Sequence, residues 1–201
     1  MTLSFIVVAY NHPESLRTCL SSLVDQTFRE IEIVVVDNSP EMETGSRNRE
    51  LCLMDPRIRY EWVADRTKID HAGIRHKQCL YTATEIGVNL ATGEWLAFPS
   101  QDDYATPVFA QRMLAVAKET DADFILCDVV LGGPGHGYFT LGTAPRNCAC
   151  DKCSFIMKRS WFTGFEGKWD NYELEDGYFV ERLVTRGIKT AKCPQVLMCH
   201  N

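Results

Sequence analysis

The sequence predicts an α/β fold: a mostly parallel sheet flanked by helices, with a smaller, loop-rich second half, all within one domain over residues 1–201. Three observations predict it. Short apolar, β-branched runs alternate with helix-period stretches from Leu3 to Val130, which is the pattern of successive βαβ units. The runs are apolar on both faces, as strands covered by helices on each side must be. Gly132-Gly133-Pro134-Gly135-His136-Gly137 then breaks the alternation. No polar linker divides the chain on either side of this break, so residues 1–104 and 105–201 read as two halves of one domain.

The first strand is Leu3 to Ala9, ending at Tyr10-Asn11-His12-Pro13. Pro13 suits a first helical turn, and Leu16, Cys19, Leu20, Leu23 and Val24 recur at helical spacing to about Thr27. Ile31 to Val36 is the second strand, ending at Asp37-Asn38-Ser39-Pro40. The crossover between parallel strands is right-handed almost without exception, so the two polar tips land on one sheet edge. Glu41 to Met54 is a weaker helix, and Ile58 to Val63 a less buried third strand. Asp65 to Gln78 is polar and carries Arg66, Lys68, His71, Arg75, His76 and Lys77 around Gly73. It reads as a mobile cationic loop, able to close over phosphates or simply to connect elements in solvent. Leu80 to Leu90 is helical, stopped by Thr92-Gly93.

The stretch Glu94-Trp95-Leu96-Ala97-Phe98-Pro99-Ser100-Gln101-Asp102-Asp103 organises the rest. Its apolar part is a buried strand, which Pro99 ends because it cannot donate to a ladder. Ser100, Asp102 and Asp103 are thereby presented at the carboxyl end, where open α/β sheets bind ligands. Two adjacent carboxylates suit Mg²⁺ or Mn²⁺, and through it a phosphorylated ligand; a solvated acidic turn is the plainer reading.

Pro107 opens a helix to about Glu119, with Phe109, Met113, Leu114 and Val116-Ala117 on its apolar side, and Asp123 to Val130 is a fifth strand. Beyond the glycines, Ser154 to Lys158 is a short strand. Trp161, Phe162, Phe165 and Trp169 come next, suited to core packing or to stacking on sugar rings. Glu175 and Asp176 then occupy a first helical turn, where the macrodipole favours ionised carboxylates, and Gly187 caps that helix. Val196 to Cys199 is the last apolar strand, with His200 at its end.

A net charge of −6 with no basic block disfavours nucleic acid as a partner. No apolar run approaches the roughly 20 residues that span a bilayer, and no signal peptide is visible. The expectation is a cytoplasmic protein, able to work at the inner face of a membrane beside a lipid-linked substrate. Nine cysteines is an odd total, which argues against full disulfide pairing. Cys19, Cys79 and Cys127 fall in helix or strand patterns as small buried hydrophobes. Cys148, Cys150 and Cys153 could supply most of a zinc site, with Cys193, Cys199 or a histidine as fourth ligand, or stand as free thiols.

Four stretches resemble the family 2 glycosyltransferases of the GT-A, Rossmann-like fold. Ser4 to Asn11 resembles the family's opening strand, and Ile33 to Ser39 its second. Ala91-Thr92-Gly93-Glu94 before Leu96-Ala97-Phe98 resembles the approach to its metal-binding aspartate motif, and Glu175-Asp176 its acidic pair. The resemblance implies an inverting transferase that moves a sugar from a nucleotide-diphosphate sugar, a UDP-sugar before others, to an acceptor hydroxyl. The acceptor is a carbohydrate or lipid-linked one, in polysaccharide, glycolipid or glycoprotein glycan synthesis. It implies that Ala9, Tyr10, Asn11, Asp37 and Gln101 hold the nucleotide, with Asp37 accepting from a base N–H, and that Arg75 and Lys77 serve the diphosphate. Asp102 would bind Mn²⁺ or Mg²⁺, assisted by Asp103, with His200 as a further ligand. Asp176 would be the catalytic base, with Glu175 as the alternative. Ser100 stands where the family places the first aspartate of its motif, so a nucleotide-sugar-binding protein without transferase activity is the alternative.

Overall fold

The structure is a computed structural model that describes residues 1–63, 74–133, 137–146, 148–164 and 175–200, with backbone alone for 74–80 and 175. Among the described residues nine strands form one sheet. In chain order they are β1 (Leu3–Ala9), β2 (Ile31–Asp37), β3 (Ile58–Trp62), β4 (Trp95–Ala97), β5 (Tyr104–Ala105), β6 (Phe124–Gly133), β7 (Gly137–Leu141), β8 (Phe155–Lys158) and β9 (Thr190–His200). The helices are α1 (Pro13–Val24), α2 (Met42–Cys52), α3 (Ile74–Leu90), α4 (Phe109–Thr120) and α5 (Glu175–Thr185). The strand order is β3-β2-β1-β4-β8-β6-β9-β5, with β7 paired to β6. From β3 to β4 the strands are parallel. β8 runs antiparallel to both β4 and β6, and β9 is parallel to β6.

The alternation of side chains along β1 sends Leu3, Phe5, Val7 and Ala9 into one core, against Leu16, Leu20 and Leu23 of α1 and Phe109 and Met113 of α4. Ile6 and Val8 enter the other, with Tyr81 and Val88 of α3 and Phe179 and Leu183 of α5. Each fully buried large aliphatic or aromatic side chain contributes about 1.5–3 kcal/mol, which explains why both faces of the central strands are apolar. At Gly87 a Cβ would come within 2.4 Å of Ile6 Cγ2, so α3 lies on the sheet at a spacing that only glycine permits.

Three expectations need correcting. α3 starts at Ile74, not near Leu80, so Arg75 and Lys77 fall on its first turns rather than in a loop. Polarity there does not mean an absence of helix, since Arg and Lys are good helix formers. The glycine-rich break holds regular structure at its ends: Gly132 pairs with Tyr138 and Gly133 with Gly137. A Cβ on Gly132 would lie 2.2 Å from the Gly137 carbonyl oxygen, so these glycines allow a tight hairpin rather than break it. The last strand begins at Thr190, well before Val196. Pro194 hid it, and Pro194 sits where the β6–β9 register shifts, a bulge that tolerates a residue with no N–H.

Candidate functional site

The ends of β1, β2 and β4 meet at one edge of the sheet. Val8 bridges to Ser100 just beyond β4, and Tyr10 is clamped to the same turn: its N–H donates to Gln101 Oε1 and its carbonyl accepts from Gln101 Nε2, both at 2.8 Å. Asn11 takes a left-handed conformation, φ 54°, in which its N–H donates to Ser39 Oγ at 2.9 Å. Ala9 is fully buried, its carbonyl accepting from Asn38 N–H. Asp37 is also fully buried. Its Oδ1 accepts from Ser39 N–H at 2.8 Å, and its Oδ2 from Asn48 Nδ2 at 2.8 Å and from the Tyr60 hydroxyl at 2.9 Å. A nucleobase N–H would therefore have to join or replace Ser39 at Oδ1. Beside it, Oδ1 of Asn11 and of Asn38 are buried acceptors without a partner among the described residues, the kind of group that a ligand donor satisfies.

Ser100 and Asp103 close a tight turn. Ser100 N–H donates to Asp103 Oδ2, and Asp103 N–H to the Ser100 carbonyl. That turn aims Asp103 inward, 1% exposed, while Asp102 stays half-buried. Asp103 Oδ1 meets His200 Nδ1 at 2.5 Å. Burial pushes the Asp103 carboxyl up against the pull of His200. The same bond lifts His200 from 6.5 to about 9, against burial. A bound cation would compete for this same oxygen and nitrogen. Asp103, His200 and Cys153 bring a carboxylate oxygen, a ring nitrogen and a sulfur within 4.8 Å of one another. Donors of this kind fit a divalent cation. Asp102, which the resemblance puts foremost, is outside this set, although its charge reaches His200.

Asp176 lies on the first turn of α5. Burial, with the charge of Asp151, pushes its carboxyl up, and Lys152 and Tyr81 pull it back. Lys152 does so by its ammonium and by its backbone N–H, and the Tyr81 hydroxyl by donating to Oδ1 at 3.3 Å. The charge of Asp151 also raises Asp103 and His200. The run Asp151-Lys152-Cys153 thus touches the base candidate with its middle residue and the cation cluster with its last, one peptide unit of 3.8 Å apart. The run is a single 3₁₀ turn before β8, held by a capping box between Asp151 and Ser154.

Sequence reasoning missed Asp151, Lys152 and Tyr81. The Asp-x-x-Ser signature of the cap was visible before a predicted strand, but nothing local said that it would dock against β9 and α5. The zinc reading of the cysteine loop changes: Cys148 is exposed and Cys150 donates to the Arg146 carbonyl, while Cys153 alone of the three turns to the cluster. Cys19 and Cys127 are fully buried, as expected, and the eight cysteines described are free thiols. Trp161 and Phe162 pack on the second core, with Phe162 stacked on Phe98 at 5.9 Å. Arg66, Lys68, His71, Phe165 and Trp169, and the side chains of Arg75, His76, Lys77, Cys79 and Glu175, lie outside the described residues. Among the described residues no helix is long and apolar enough to cross a membrane.

Residues 4–179 match the family described as Glycosyl transferase family 2. A putative glycosyltransferase, EpsH of Bacillus subtilis, is 30% identical over 125 residues, which cover 62% of this chain and 33% of that protein. The chain therefore spans about a third of the length of that relative. Among solved structures, Staphylococcus aureus TarS 1–349 in complex with UDP-GlcNAc superposes with a TM-score of 0.71 at 18% identity, covering 99% of this chain and 58% of that one. The mannosyltransferase PcManGT of Pyrobaculum calidifontis, in complex with GDP-Man and Mn²⁺, gives 0.69 at 17% identity, covering 98% and 56%.

Proposed function

The chain belongs to glycosyl transferase family 2, and we propose that it moves a sugar from a nucleotide-diphosphate donor, a UDP-sugar before others, to an acceptor hydroxyl, with inversion at the anomeric carbon. The observation that carries this reading is the run Asp151-Lys152-Cys153, in which Lys152 acts on the Asp176 carboxyl and Cys153 lies with Asp103 and His200; this supports Asp176 as the base and the cluster as the cation site. The sugar-nucleotide complexes of TarS and PcManGT support such a donor, and the Mn²⁺ of the latter supports a divalent cation.

Asp37 and the unpartnered Asn11 and Asn38 oxygens would orient the base, and the Tyr10–Gln101 clamp would fix the wall against which it lies. Arg75 and Lys77, at the start of α3, would approach the diphosphate. Asp103 and His200, with Asp102 beside them, would hold Mn²⁺ or Mg²⁺; once bound, such an ion neutralises the charge that develops on the departing diphosphate. Asp176 would take the proton of the acceptor hydroxyl as it attacks from the face opposite the leaving group, and a single displacement of this kind inverts the sugar. Lys152 would keep Asp176 ionised despite its burial. Glu175, one residue earlier on α5, is the alternative base. The acceptor would be a carbohydrate or a lipid-linked saccharide, the latter reached by peripheral association with a membrane.

The test is release of nucleoside diphosphate from a panel of UDP- and GDP-sugars with added Mn²⁺. Asp176→Asn is expected to bind donor as the parent does in calorimetry and to lose turnover at least about 100-fold. Full turnover in that variant would remove Asp176 from the role. Ser100 favours a second reading, a donor-binding protein without turnover, because it offers no carboxylate to the cation. That reading predicts donor binding and no release from the parent chain with any acceptor.

A further inference from the structure

At the cation end of the cleft three donors of different chemistry converge. The carboxylate of Asp103, the imidazole of His200 and the thiol of Cys153 place one ligand atom each within 4.8 Å of the others. Neither Asp103 nor Cys153 is more than 1% exposed, so this is not a surface cysteine that happens to lie near an acid. The backbone holds the sulfur in place: Cys153 N–H donates to Asp151 Oδ1 at 3.0 Å, inside the capping box that precedes β8. Neither neighbouring thiol belongs to the cluster. Cys150 Sγ donates to the Arg146 carbonyl, and Cys199, next to His200 in β9, is outside the cluster.

Mg²⁺ takes oxygen ligands and rejects sulfur, whereas Zn²⁺ and Co²⁺ accept oxygen, nitrogen and sulfur together, in tetrahedral sets of three protein ligands and one open position. Ser100 contributes no carboxylate at this turn, while Cys153, in the turn before β8, offers a thiol that becomes an anionic donor only by losing its proton to a bound metal. We infer that Cys153 is a protein ligand to the cation at Asp103 and His200, so that the site takes thiophilic Zn²⁺ or Co²⁺ in preference to Mg²⁺. The inference rests on reading this cluster as the cation end of the transferase site. As the ion binds, a metal–sulfur bond replaces the S–H bond and the proton leaves to solvent. Three protein ligands would leave such an ion able to take an oxygen of the donor diphosphate as well.

The test is a titration of the chelator-treated, reduced chain with Co²⁺, monitored by absorption spectroscopy. The expected result is a sulfur-to-cobalt charge-transfer band in the near ultraviolet, bleached by Zn²⁺ and not by Mg²⁺. Cys153→Ser is expected to abolish that band, and Cys199→Ser to leave it. A band that survives Cys153→Ser, a cobalt complex without charge transfer, or no uptake of Co²⁺ would each overturn the inference. Should Cys153→Ser fail to fold, zinc-edge X-ray absorption of the parent chain decides. A scatterer at about 2.3 Å is sulfur, and a shell of only oxygen and nitrogen at about 2.0–2.2 Å excludes it. Diphosphate release with Mn²⁺, measured on the same preparation, separates the two readings, since its presence without charge transfer sinks only the thiolate.

Discussion

Tyr81 and Lys152 act on the same carboxylate from different elements, and their effect on it has a direction that can be measured. Asp176 is raised by burial, and each hydrogen bond to its ionised form opposes the rise. As the proposed base, Asp176 would work only when ionised, so turnover should fall as pH drops through this raised value rather than through the usual carboxylate range. Tyr81→Phe removes a donor to the charged form, so the acidic limb of the pH–kcat profile should move further up, by about 0.5–1 pH unit for a hydrogen bond of ordinary net strength. An unmoved limb would mean that the titration belongs to another group. At this scale the sequence showed the acids and concealed their partners. Asp37, Asp103 and Asp176 stood out as carboxylates at strand or helix ends. That Asn48 and Tyr60 hold the first, and His200 the second, depends on contacts between residues far apart in the chain.

Among the elements, the join between β2 and the turn before β4 is held by one side chain. Glu32 accepts from Ser4 Oγ, from Thr92 N–H and Oγ1, and from Gly93 N–H. Burial pushes its carboxyl up, but these bonds outweigh burial and hold it below 4.5. A carboxylate depressed in the folded state adds stability that is fully present above its unfolded pKa and is lost as pH falls through the folded one. Glu32→Gln should therefore cost about 1–2 kcal/mol at pH 7. Denaturant unfolding should show that difference shrinking to nothing as the pH is taken from 4.5 down through the depressed value. A gap that persists in acid would mean that the substitution disturbs packing instead. β1, α1 and β2 were legible because each buries a regular apolar face. β9 was half-hidden for the opposite reason: Pro194 and the register shifts against β6 interrupt its period, and a slip of one residue changes which face each side chain meets. That bulge decides where His200 ends up, and no local pattern announces it.

For the molecule as a whole, the proposal of one domain over residues 1–201 has a direct consequence. A single sheet runs from β3 to β5, and one core continues along it from α1 to β9. Urea unfolding monitored by tryptophan fluorescence and by far-ultraviolet circular dichroism should give coincident, single transitions. Two separated transitions would split residues 1–104 from 105–201. The parallel half could be read from the sequence because βαβ units have one handedness and one way to pack. The mixed half could not, because β8 joins β4 to β6 against the direction of both. That insertion bears on how the chain is made. β4 is synthesised early and gains its second neighbour only when β8 has left the ribosome, long after Trp95, Leu96 and Ala97 have. Until then the nascent sheet ends at β4 with one side unpaired, an edge that stays open to wrong pairing for longer the more slowly the residues between β4 and β8 are translated.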